Sequence, residues 1–93
     1  MINKKILKIR KELDKLDDSF LNLILKRTKL VDQVLAKKNF KKDIIDQKRI
    51  NIILKNIKKK SIIKKIDPKI TKKIWSSMIR AYIDYEFRNF NKK

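Results

Sequence analysis

The chain contains no cysteine, no histidine and no glycine, and only one proline, in 93 residues. Lack of cysteine excludes disulfides and thiol nucleophiles, and lack of histidine removes the usual general base and, with cysteine, the usual zinc ligands. Lack of glycine rules out a phosphate-cradling loop and a dinucleotide fingerprint. No cofactor is therefore expected, and any catalysis rests on Lys, Arg, Asp, Glu, Ser, Thr and Tyr. Long apolar runs are missing too, because Lys4, Lys5, Lys8 and Arg10 interrupt the first residues and leave nothing that reads as a signal peptide or membrane span. The expectation is a soluble, cytoplasmic protein with no membrane among its partners.

What the chain has in abundance is positive charge, a formal net of +18. A polyanion such as RNA or DNA is the direct reading. A compositional reading competes with it and is preferred: 23 Lys stand against 5 Arg, with 17 Ile and 7 Asn, the bias of an AT-rich coding sequence. Nucleic acid is therefore not the expected partner. If Lys is the default cation, each Arg becomes informative, because its planar fork grips carboxylates as an ammonium cannot. The five are Arg10, Arg27, Arg49, Arg80 and Arg88.

Apolar residues recur every three and four positions at Ile6, Ile9, Leu13, Leu16, Phe20, Leu23, Leu30 and Val34, which is the period of one helix. It is expected to run from near Asn3 to about Lys38, roughly 54 Å at ~1.5 Å per residue. A compact monomer of this size has a radius of gyration of only about 13 Å, so the helix needs a partner, and a homodimer of packed long helices is expected. Asn39 to Ile45 reads as a connection. Asp46 is a good cap for a second helix with Ile50, Ile53, Leu54 and Ile57 on one stripe, fraying into Lys58, Lys59, Lys60 and Ser61. Residues 62–66 read equally as helix or turn. Asp67-Pro68 is the clearest start signal, an acidic cap followed by proline at the first helical position. The third helix should reach about Phe90, with Ile70, Ile74, Trp75, Met78, Ile79, Tyr82, Ile83 and Glu86 inward. The fold class is all-α, one long and two shorter helices in a single domain over residues 1–93.

Charged residues on apolar faces are the candidates for function. Arg27 stands where the seam calls for an apolar side chain, and Lys38 follows it by 11 residues, about three turns and only about 20° of rotation. Both could close on one small anion. Arg10 is 17 residues earlier, about 25 Å away, so only an antiparallel partner helix could bring an Arg10 to Arg27. Tyr82 and Glu86 share a helix face, and Asp46 and Arg49 sit where backbone N–H groups attract anions. Each has a plain alternative: Arg27 as a core cation neutralised by Asp17 or Asp18 of another chain, Lys38 as a solvated lysine, Asp46 as a cap with Arg49 beside it, Glu86 as a salt-bridge partner, Tyr82 as core.

Taken together, Arg10, Asp17 within LDKLDDSFLNLILKR, Arg27, Lys38, the DIIDQKR stretch and IWSSMIRAYIDYEF resemble the all-helical class of chorismate mutase across about residues 6–90. The resemblance implies an interlocked homodimer with two active sites, each borrowing an arginine from the other subunit. It implies that Arg10 of the partner chain and Arg27 grip the two carboxylates of chorismate. Lys38 would contact a carboxylate and the ether oxygen of the breaking bond, Arg49 would line the pocket, Asp46 would sit near the ring hydroxyl, and Glu86 would hydrogen-bond the ether oxygen. Two positions depart from the pattern: Ile50 replaces an acid that holds the ring hydroxyl, and Tyr82 replaces a small hydroxyl residue near the ring carboxylate.

The implied reaction, chorismate to prephenate on the way to phenylalanine and tyrosine, is pericyclic and needs no nucleophile, metal or cofactor. Holding the flexible dianion in its reactive conformer and stabilising charge growing on the ether oxygen are tasks for cations and donors, with Lys38, Glu86 and Arg27 as catalytic residues. Glu86 can donate to that oxygen only when protonated. The nearest alternative is isochorismate pyruvate-lyase of the same fold; a more distant one is a basic helical nucleic-acid-binding module.

Overall fold

A computed structural model describes residues 3–91 as an all-α chain: α1 is Lys4–Lys37, α2 is Gln47–Ile63 and α3 is Pro68–Asn89, with a short 3₁₀ turn, Lys41–Asp43, between the first two. Contacts group into two units, Met1–Gln33 and Val34–Lys93.

The first unit is the long helix as far as Gln33; its last turn belongs to the second unit. Asn3 caps α1, its Oδ1 accepting from the Ile6 N–H at 2.9 Å, and no glycine or proline interrupts it. The 34 residues of α1 therefore rise roughly 51 Å. The seam from Ile6 through Val34 stays open to solvent, every one of its eight apolar residues being between 41% and 62% exposed. Leu35 is the one buried residue of α1. Among the described residues no helix is long and apolar enough to cross a membrane.

The second unit is a helical hairpin. Asp46 caps α2, accepting from the Arg49 N–H at 3.1 Å, and Asp67 caps α3, accepting from the Lys69 N–H at 2.9 Å with Pro68 behind it. The expected fraying at Lys58–Ser61 does not occur, because Ser61 is drawn inward. Its Oγ lies 2.6 Å from the Ile57 carbonyl and 2.8 Å from Thr71 Oγ1, with Ser61 and Thr71 both buried. Residues 62–66 divide: Ile62 and Ile63 finish the helix and the next three turn. Lys65 sits at φ 60°; its N–H reaches the Ile62 carbonyl at 3.1 Å and the Ile66 N–H reaches the Ser61 carbonyl at 2.8 Å. These are the paired bonds of a Schellman stop. Glycine normally takes the left-handed position, and in a chain without glycine a lysine carries the steric cost, about 1 kcal/mol.

On α3 the inward stripe runs Thr71, Trp75, Met78, Tyr82 and Glu86, all buried or half-buried. Ile70 and Ile74, expected inward, lie one position off that stripe, about 100° round the helix, and stay 55% and 41% exposed. On α2 the expected stripe of Ile50, Ile53, Leu54 and Ile57 is half-buried.

Candidate active site

The site begins where α1 stops. Just beyond it, the Phe40 N–H donates to Asp43 Oδ2 at 3.2 Å, and the Asp43 N–H donates back to the Phe40 carbonyl at 3.0 Å. This closes the 3₁₀ turn and drives Ile44 inward until it is 3% exposed. Burial of that side chain fixes its backbone, and the Ile44 carbonyl accepts from Lys38 Nζ at 3.2 Å.

The second partner of Lys38 comes from α3. Glu86, 7% exposed, places Oε1 at 3.0 Å from Lys38 Nζ. Residues 48 apart in sequence thus meet as an ion pair whose side chains are 18% and 9% exposed. An ammonium has three donors; Ile44 and Glu86 take two of them. Partial exclusion of water strengthens every charge interaction at this point.

The remaining expected residues are placed as follows. Tyr82 stands one turn before Glu86 on the inward side of α3, half-buried, its ring edge-to-face with Tyr85 at 6.3 Å and 85°. Asp46, Arg49 and Ile50 share the start of α2: Asp46 and Arg49 are exposed, Ile50 half-buried. The Asp46 carboxylate is engaged with the Arg49 backbone, which satisfies its role as a cap. On α1, Arg27 is half-buried with its Nε atom withdrawn from solvent, whereas Arg10 is exposed. Seventeen residues of continuous helix hold these two about 25 Å apart, so one chain cannot close both on a small ligand.

Ile44 is the site residue that sequence reasoning missed. It lies in a polar connection, and its contribution is a carbonyl, which no side-chain pattern announces. The apolar pair Ile44-Ile45 within that connection was the available signal. A separate groove of about 500 Å³ between α2 and α3, floored by Leu54, Ile57 and Pro68, lies toward the hairpin bend near Thr71, about 22 Å along α3 from Glu86.

The arrangement is a half-buried cation paired with a buried carboxylate on an all-helical scaffold. The comparison with known families is specific: the description Chorismate mutase type II matches residues 9–87, and the chain belongs to that family. The family also includes isochorismate pyruvate-lyases. Among curated proteins and among solved structures nothing matches the chain.

Proposed function

We propose that the protein is a chorismate mutase, rearranging chorismate to prephenate in a homodimer with two shared sites. The observation that carries the reading is the meeting of Lys38 and Glu86 at 3.0 Å within a member of this family. Breaking the ether bond as the new carbon–carbon bond forms requires no proton transfer, only a held conformer and a field that favours charge on the ether oxygen. Lys38 supplies the cation there. The substrate carboxylate replaces Glu86 as its counterion, and Glu86 hydrogen-bonds the ether oxygen, a contact for which its carboxyl must carry the proton. Arg27 and the partner's Arg10 clamp the two carboxylates with their guanidinium forks. Arg49, Asp46, Ile50 and Tyr82 line the pocket.

The dimer is supported by the open seam of α1, whose eight apolar residues are each between 41% and 62% exposed and which a second copy would cover. The single domain over residues 1–93 is, on this reading, complete only with a second copy; residues 1, 2, 92 and 93 lie outside the described ones.

Isochorismate pyruvate-lyase is kept as the second reading because the same family contains it. Purified protein given each substrate separates them. Prephenate from chorismate supports the mutase, and pyruvate with salicylate from isochorismate supports the lyase. Neither product would refute both, and tight salt-sensitive binding to RNA would then favour a basic binding module.

A further inference from the structure

We propose that the bend joining α2 to α3 is a docking surface for an anionic lipid bilayer. Four isoleucines are displayed there: Ile62 is 58% exposed, Ile63 76%, Ile66 42% and Ile70 55%. All lie within about one turn of the bend. Around them residues 55–73 carry nine lysines and one acid, Asp67, whose carboxylate already accepts from the Lys69 N–H at 2.9 Å. None of those lysines makes an ion pair among the described residues. Lys60 and Lys64, and likewise Lys69 and Lys73, are like charges four apart on helical turns, an arrangement that opposes folding unless an anion relieves it.

Apolar side chains that enter the acyl boundary, ringed by lysines that meet anionic headgroups, are the two components of interfacial membrane binding. The backbone of the bend also suits that environment. Lys64, Lys65, Ile66 and Ile70 all donate their N–H groups to carbonyls of the bend itself, at 3.0, 3.1, 2.8 and 3.1 Å, so entering a water-poor layer strands none of these donors. The buried Ser61–Thr71 hydroxyl pair ties the helix ends together, and the surface is preorganised. The lack of a membrane-spanning run does not bear on such shallow docking. Nucleic acid fits less well, since residues 55–73 contain no arginine and no aromatic residue, the groups that grip phosphates in a fork and stack on bases. A second copy apposed through the same patch would set lysine against lysine.

The test is co-sedimentation of the full chain with vesicles of phosphatidylcholine alone or mixed with phosphatidylserine. Binding is expected only to the mixed vesicles, weakening with salt. Each of Lys60→Gln and Lys64→Gln should lower the partition coefficient about fivefold, and Ile63→Asp about tenfold or more. The far-UV ellipticity of Ile63→Asp should remain that of wild type, because the side chain is exposed. Lys4→Gln/Lys8→Gln/Lys11→Gln, which removes three charges from α1 where each bend variant removes one, should have a much smaller effect. Equal binding to both vesicles, no binding, or equal loss in the α1 variant would overturn the proposal. So would displacement of wild type and Ile63→Asp alike by single-stranded RNA, which would assign the patch to nucleic acid.

Discussion

Replacing Lys38 should destabilise the fold more than neutralising Glu86 does, and the two effects should not add. Lys38→Met removes the cation that faces a carboxylate only 7% exposed and also takes a donor from the Ile44 carbonyl. Breaking a fully buried pair costs about 3–5 kcal/mol; with 18% of the Lys38 side chain exposed, a value of about 2–3 kcal/mol is appropriate. Glu86→Gln keeps the shape and an acceptor for Lys38, which also retains Ile44, so the loss should be about 1–1.5 kcal/mol, near that of a charged hydrogen bond made neutral. Once Glu86 is neutral, Lys38→Met strands no charge. The double variant should then cost no more than Lys38→Met alone, a coupling of about 1–1.5 kcal/mol. Urea unfolding followed by ellipticity measures this, at one fixed protein concentration and without the screening that guanidinium chloride adds. Additive losses would refute the claim that this ion pair is energetically a unit.

Other outcomes follow from the same geometry. Lys65→Gly should raise stability by about 0.5 kcal/mol, the relief of the left-handed strain less the entropy glycine adds to the unfolded chain, read as a rise in Tm of roughly 2–4 °C; a lower Tm would contradict the Schellman assignment. Thr71→Val should cost about 1–2 kcal/mol by leaving Ser61 Oγ with one partner fewer, while Ser61→Ala/Thr71→Val should cost less than Thr71→Val alone, a contrast thermal unfolding can read. On the proposed mechanism, Glu86→Ala should lose most activity while Glu86→Gln, whose amide can donate to the ether oxygen, should keep it; full activity in Glu86→Ala sinks that role. Arg10→Ala and Arg27→Ala should each be inactive, and heterodimers of the two should regain one intact site in two; no recovery in confirmed heterodimers would rule out the shared site.

The caps and periods of this chain were legible because they are side-chain chemistry in local sequence. Asp67-Pro68 marks the start of α3 to the residue, Asp46 that of α2, and the helical period from Ile6 to Val34, broken only at Arg27 and free of glycine and proline, places both ends of α1 to within a residue. The pairing of Lys38 with Glu86 was not derivable from spacing, since the two stand 48 residues apart in sequence with a hairpin between them; each was a candidate on other grounds, and only the fold joins them. The stop of α2 was hidden for a different reason. A helix end is normally announced by glycine, and here a lysine among lysines does the work, so Lys58–Ser61 read as fraying while the buried Ser61–Thr71 contact was holding that turn in place. Ile44 escaped notice because its part is played by backbone. Ile70 and Ile74 were misplaced because the inward stripe was read through apolar residues alone, whereas the small, polar Thr71, one position on from Ile70, is the buried one.

The open seam of α1 bears on how the protein must be handled as well as how it assembles. On the dimer proposed above, most of what stabilises that helix belongs to an encounter between two chains, so folding is in part a bimolecular equilibrium. Activity per molecule would then vary with the amount of protein present, falling on dilution as sites lose the arginine they borrow. A cell making little of this chain would hold fewer working sites than its protein count suggests.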